Sequence, residues 1–174
     1  MLSEPLTLYK LMILYMLKQV KFPLSNSQIS EFFLDNEYTT FFTLQQALNE
    51  LLEAHLIKKE TSRNITIYEI SREGEETLSF FGEDISTAII DDMNQYLAEN
   101  KVRLRDEVGI IADYYKATNQ DYIVHCEIRE GKSKILSFDV SVPLKSQAEK
   151  MCKQFRDSSQ SIYAFILKEL MKEQ

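Results

Sequence analysis

Positive charge is the first thing this chain is short of. Its 20 Lys and Arg stand against 27 Asp and Glu, a formal net charge of −7 at pH 7. That balance argues against broad, sequence-independent coating of nucleic acid, which Lys and Arg drive by neutralising phosphates. Glycine and proline are also scarce, four and three in 174 residues, so no segment reads as disordered or low in complexity. No internal repeat is found. Cys126 and Cys152 are the only cysteines; without a CxxC spacing they are expected to be small buried apolar groups rather than a disulfide or metal site. The longest apolar run, Leu11 to Leu17 between Lys10 and Lys18, falls far short of the roughly 18 residues that span a bilayer. No signal-peptide cleavage site follows it. A cytoplasmic protein with no membrane partner is expected.

Catalytic motifs are missing too: G-x-S-x-G, a phosphate-cradling glycine loop, H-E-x-x-H and a dinucleotide fingerprint. His125 and Cys126 are adjacent, so on a strand they point to opposite faces and cannot chelate one metal. Asp91 and Asp92 read as a solvated helix face. The expectation is a protein that is not an enzyme and takes no cofactor and no metal.

What is present divides in two. Residues 1–72 hold seven Lys/Arg against eight Asp/Glu, net −1, and residues 73–174 hold thirteen against nineteen, net −6. The N-terminal part is therefore the one expected to approach DNA. The domains are drawn at 1–82 and 83–174, in an α+β chain.

The chain's organising stretch is Thr40 to Ile57. At about 100° per residue, Phe41, Leu44, Leu48, Leu51 and Leu52 share one stripe, while Phe42, Thr43, Gln46, Asn49, Glu50 and Glu53 face the other way. Thr40 is a candidate N-cap, and Thr43 with Gln46 offers a second register one turn later. Before it, Leu6 to Val20 is apolar on every face, so it must be buried on both sides, by its own core and by the second domain or a partner subunit. After Phe22-Pro23-Leu24, Ser25 and Gln28 stand at capping-box spacing and open a helix running to Leu34. Asp35, Asn36 and Glu37 then form a turn into the organising helix, a helix-turn-helix pattern.

Beyond Ile57, Lys58 to Thr61 and the alternating Ile65 to Ile70 make a hairpin across Ser62-Arg63-Asn64. It carries Lys58, Lys59 and Arg63. Ser71 caps the next helix. Ile85 to Arg105 reads as a long helix. Three strands follow, at 109–117, 122–129 and 135–142, an antiparallel meander whose inward faces include Tyr122, Val124, Cys126 and Ile128, then Leu136, Phe138, Val140 and Val142. Two amphipathic helices, Leu144 to Phe155 and Ser161 to Met171, are expected to cover it.

The hairpin's exit, Tyr68-x-Ile70-Ser71-x-x-Gly74-x-x-x-Leu78, resembles the wing exit of bacterial winged-helix regulators of the MarR and PadR types. Leu48-x-x-Leu51-x-x-x-x-Leu56-Ile57 and Ser25 to Phe33 are similar to their helix-turn-helix. LTLYKLMILYMLKQV with FTLQQALNEL more closely resembles an uncharacterised family of bacterial winged-helix proteins, domain-of-unknown-function family 4364, over the full length. The resemblance implies a winged helix over about residues 5 to 80 and a regulator. Two departures stand out. His55 occupies the usual place of a glycine with left-handed backbone, and the positions often held by Lys or Arg are Phe42, Gln45 and Gln46.

The function expected is DNA-binding transcriptional regulation through a winged helix-turn-helix, with double-stranded DNA as partner and the chain paired as a homodimer through its first helix, the Ile85 to Arg105 helix, or both. The DNA-contacting set is Thr40, Phe42, Thr43, Gln45, Gln46, Lys58, Lys59 and Arg63. The alternative is a winged helix used as a protein-interaction module, with Phe42 as its anchor. A third reading, a ligand-binding sensor, rests on the extra sheet.

Overall fold

The computed structural model describes residues 4–62, 65–131 and 133–173. Among them the chain folds as mixed α+β, with six α-helices, one 3-10 turn and two three-stranded antiparallel sheets. Its contacts separate two units, Met1–Arg105 and Asp106–Gln174. The domain boundary expected at 82/83 falls earlier than this one, and most of the long helix expected to link two domains lies in the first unit.

In the first unit, α1 (Pro5–Gln19) starts with proline at its first turn, where no intrahelical N–H is lost. Leu11, Met12, Ile13, Leu14, Met16 and Leu17 are all buried, so the middle of this helix leaves no face for solvent, while Thr7, Lys18 and Gln19 toward its ends are exposed. The reason differs from the one expected. The unit itself covers α1 on both sides, with α3 (Phe41–Glu53), β3 (Ile65–Ile70), α4 (Arg72–Phe81) and the 3-10 turn Gly82–Asp84 in contact with it and the Tyr15 hydroxyl donating to Asn94 of α5 (Thr87–Gly109) at 2.8 Å. Neither a second domain nor a partner subunit is needed.

The capping box before α2 (Asn26–Asp35) forms as spaced: Ser25 Oγ accepts from the Gln28 N–H at 3.1 Å, and Gln28 Oε1 accepts from the Ser25 N–H at 3.0 Å. Gln28 is buried, and its Nε2 donates to the Leu104 carbonyl at 2.9 Å. α5 (Thr87–Gly109) is tied to the first unit by more than this bond. Tyr96 donates to Glu31 at 2.8 Å, Arg103 grips both Glu31 oxygens at 3.1 and 3.2 Å, and Tyr38 donates to Asp92 at 2.5 Å. Burial and that bond to the carboxylate push the Tyr38 hydroxyl up to about 12. Asp92, read from sequence as simply solvated, is thus a partner.

α3 (Phe41–Glu53) begins at Thr40, the earlier of the two candidate registers, whose Oγ1 accepts from the Thr43 N–H. Leu44, Ala47, Leu48 and Leu51 are its buried stripe; Phe41, expected on that stripe, sits in the first turn and is half out. The hairpin joins β2 (Ile57–Ser62) to β3 (Ile65–Ile70), with β1 (Leu24–Ser25) on the far side of β3, giving the order β1-β3-β2. Ser71 then caps α4 (Arg72–Phe81), and a 3-10 turn, Gly82–Asp84, follows.

In the second unit, β4 (Ile110–Lys116), β5 (Tyr122–Glu130) and β6 (Ser133–Val142) form a meander in that order. Val124, Cys126 and Ile128 are buried on one face, as the alternation of β5 requires. The cover is a single helix, α6 (Lys145–Leu170), rather than two. The stretch read as a break, Arg156 to Gln160, continues the inward row Ala148, Cys152, Phe155, Ser159; a small buried serine stands where an apolar residue would have made the helix legible. Both cysteines are free and buried, and burial pushes the Cys126 thiol up to about 12. No helix of the described residues is long and apolar enough to cross a membrane.

Candidate nucleic-acid interface

Three local devices set the geometry around α3. The first is its N-terminus, where the Thr40 hydroxyl donates to Thr43 Oγ1 at 3.0 Å while accepting from the Thr43 N–H at 3.3 Å, so the two threonines fix the first turn. Phe42 projects from that turn, 84 % exposed, its ring edge-on to Phe41. Gln46 is exposed one turn on and donates from Nε2 to Glu50 at 3.1 Å.

Glu50 in turn pairs with Lys10. Hydrogen bonds from Lys10 and Gln46 hold its carboxyl below the ordinary range. Lys10 thus offsets one of the two acidic charges of α3, Glu50 and Glu53.

The second device is a polar clamp. Asn26 and Gln45 pair side chain to side chain, Asn26 Nδ2 donating to Gln45 Oε1 at 2.9 Å and Gln45 Nε2 donating to Asn26 Oδ1 at 3.0 Å. Asn26 also donates to the Tyr68 hydroxyl at 3.2 Å and accepts from Ser30. Gln45 is therefore half-buried and occupied in joining α2, α3 and β3. It locks the angle between the two helices and the hairpin rather than standing ready for a base edge. Asn26 is the node that sequence reasoning missed, because nothing local relates position 26 to 45 and 68.

The third device closes α3 onto the hairpin. His55 takes a left-handed backbone, φ 60°, at the position where the resemblance had implied glycine. The helix still ends in a regular motif: the Leu56 N–H bonds the Leu51 carbonyl and the His55 N–H the Leu52 carbonyl, both at 3.0 Å. Ser71 then binds this corner twice, its Oγ donating to the His55 carbonyl at 2.7 Å and its N–H to the Leu56 carbonyl at 3.0 Å. Gly74 lies directly beneath. A Cβ there would be 2.1 Å from the Leu56 carbonyl oxygen. The glycine in the exit motif is thus a packing requirement, and the hairpin is set rigidly against the end of α3.

On the hairpin, Lys59 stands opposite Tyr68 and Lys58 opposite Glu69. Residues directly opposite share a face and successive residues alternate. Lys59 therefore lies on the face of Tyr68 and its clamp to α2 and α3. Lys58 shares the other face with Glu60, Ile67 and Glu69, and these four border an open concavity of about 330 Å³ whose lining Lys59 also joins. Both lysines are exposed. Lys18, by contrast, is taken up by Glu75 at 3.3 Å. Arg63, the third basic residue of the set, lies outside the described residues.

In the second unit the sheet face away from α6 carries one polar cluster. His125 Nδ1 lies 2.5 Å from Asp139 and Nε2 2.7 Å from Glu127, which is buried and also holds Arg129 at 2.8 Å and Lys134 at 3.3 Å. Burial opposes the imidazolium, but the two carboxylates outweigh it and raise the His125 pKa. Burial would likewise raise Glu127, yet hydrogen bonds from His125, Arg129 and Lys134 bring it to about 2. Every one of these groups is matched inside the cluster, and Cys126 points to the opposite face. Among the described residues no group of three His, Cys, Asp or Glu side chains could hold a metal ion.

Comparison with known proteins gives one family model, described as a domain of unknown function (DUF4364), matching residues 9–170. The resemblance of the opening helix and FTLQQALNEL to that family is borne out, while no match extends it to MarR or PadR regulators. No curated protein and no solved structure matches.

Proposed function

The chain belongs to the DUF4364 family of unknown function, and from that starting point we propose that its first unit is a winged helix-turn-helix that reads double-stranded DNA as a homodimer and regulates transcription. The observation that carries this reading is the fixed pairing of α3 with the hairpin. A helix with an open, neutral N-terminal face (Thr40, Phe42, Thr43, Gln46) is held by the Asn26–Gln45–Tyr68 clamp against a strand that presents Lys59 on the clamp's own face. That is the division of labour a DNA reader needs: side chains at the start of a helix for base edges, and cations beside it for phosphates. Thr43 and Gln46 suit a thymine methyl and an adenine edge respectively. α3 itself carries no Lys or Arg, so Lys58, Lys59 and Arg63 supply the anchoring.

Selection from a random-sequence duplex library tests the reading. Enrichment of a sequence with two related half-sites about one helical turn apart is expected; recovery of no preferred sequence would contradict it.

A second reading has its own observation. Phe41 and Phe42 form an exposed aromatic pair at the head of α3, the kind of anchor on which protein interfaces depend. In that reading the first unit docks a protein partner, and Phe42→Ala abolishes its capture while the wing lysines are dispensable.

A further inference from the structure

The second unit has an unfinished core. An α-helix is about 10 Å across and neighbouring strands lie about 4.8 Å apart, so one helix covers about two strands of a sheet. α6 buries Ala112 of β4 with Val124, Cys126 and Ile128 of β5. On β6 the matching row is covered less completely: Leu136, Phe138 and Val142 reach this core, Phe138 edge-on to Phe155 at 5.6 Å, but all four residues of the row, Val140 included, stay half-buried. The helix also outruns its sheet. Among the described residues its packing on this core ends at Ile162 and Tyr163. The last two turns expose Phe165 by 62 %, Leu167 by 39 %, Leu170 by 81 % and Met171 by 76 %.

We propose that the exposed helix end and the half-covered row meet across a two-fold axis, the end of α6 from one copy lying along the β6 strip of a second copy of this chain. Three observations favour a second copy over another protein. The projecting element and the half-covered strip belong to one unit, so a single isologous pairing covers both, whereas a foreign partner must supply a match for each. A two-fold pairing also counts each surface twice, which brings two small patches toward the roughly 1,000 Å² that a specific interface needs. Finally, the helix end is electrically balanced in a chain of net charge −7: Lys168 and Lys172 face Glu169 and Glu173 in number, and Lys172 already holds Glu169 at 2.8 Å. Two copies meet there without like-charge repulsion.

The pairing supplies the two-fold on which the DNA-reading proposal draws, yet its test uses no DNA, so either can fail alone. Sedimentation equilibrium of the full chain at micromolar concentration is expected to give twice the mass of one chain. Phe165→Asp with Leu170→Asp is expected to return the single-chain mass with the helical circular dichroism retained. The milder Phe165→Ser with Leu170→Ser weakens the dimer at least tenfold, and carries the test if the aspartate pair unfolds. Phe42→Asp, exposed on the first unit, leaves the dimer intact. A single-chain mass for the unsubstituted protein, a dimer that survives both α6 pairs, or monomerisation by Phe42→Asp would each overturn the proposal.

Discussion

Replacing Gly74 with alanine asks whether the hairpin is truly seated on the end of α3. The added Cβ would lie 2.1 Å from the Leu56 carbonyl oxygen, 2.8 Å from Ile70 Cγ1 and 3.1 Å from the Leu56 carbonyl carbon. That carbonyl cannot swing aside cheaply, because it already accepts the Ser71 N–H at 3.0 Å. The start of α4 must therefore move by about 1 Å, and overpacking of this kind costs about 1–3 kcal/mol or more. Alanine's better helix propensity returns at most about 1 kcal/mol. A net loss of about 2 kcal/mol lowers the melting temperature of a unit this size by about 10 °C. Gly82→Ala is the matched control: its φ is −60°, and its Cβ would meet only Leu78, at 3.6 Å. It should be neutral or slightly stabilising. Thermal melts followed by circular dichroism compare the two. A Gly74→Ala protein that melts with Gly82→Ala or above it would refute the seating, and with it the rigid relation between hairpin and α3.

Two further outcomes follow from strain and charge. His55→Gly should stabilise the first unit by about 1 kcal/mol, since a left-handed backbone costs a side-chain-bearing residue about 1–2 kcal/mol and glycine's extra unfolded freedom offsets part of the relief; denaturant melts that move the other way would mean the imidazole is needed at this corner. In the second unit, His125 has a raised pKa, so its contribution to stability is complete below its ordinary 6.5 and is lost as pH rises through the folded value, while Glu127, held at about 2, contributes above its ordinary 4.5 and loses that as pH falls toward 2. The cluster should therefore be strongest between about pH 4.5 and 6.5. Proton NMR of His125 should titrate above 6.5 and shift down in Glu127→Gln; a midpoint at or below 6.5 would contradict the pairing.

Local signals were legible in the sequence and distant ones were not. Ser25, Thr40 and Ser71 each cap the helix that their spacing indicated, because an N-cap is decided by residues three apart. The alternation of β5 identified the buried face for the same reason. The saturation of α1 with apolar side chains correctly required burial all round, but composition cannot say who supplies the cover. Here it is the same unit, through α4 and α5 far along the chain. Gln45 was read as a DNA contact because it stands where the resembling regulators often hold Lys or Arg; its bond to Asn26, nineteen residues away, reassigns it to holding the scaffold. Ser159 hid the continuity of α6, since a buried serine has no hydrophobic signature.

The central claim is that the hairpin, through Lys59, supplies phosphate anchoring that α3 lacks. Fluorescence anisotropy of a selected duplex over a series of salt concentrations measures this directly, because each phosphate that is no longer neutralised flattens the plot of log affinity against log salt by about one. Lys59→Ala should lower the slope by about one and weaken binding to all sequences alike, and Gln46→Ala should leave the slope unchanged while losing about 1–3 kcal/mol on the preferred site alone. An unchanged slope and affinity in Lys59→Ala would contradict the account.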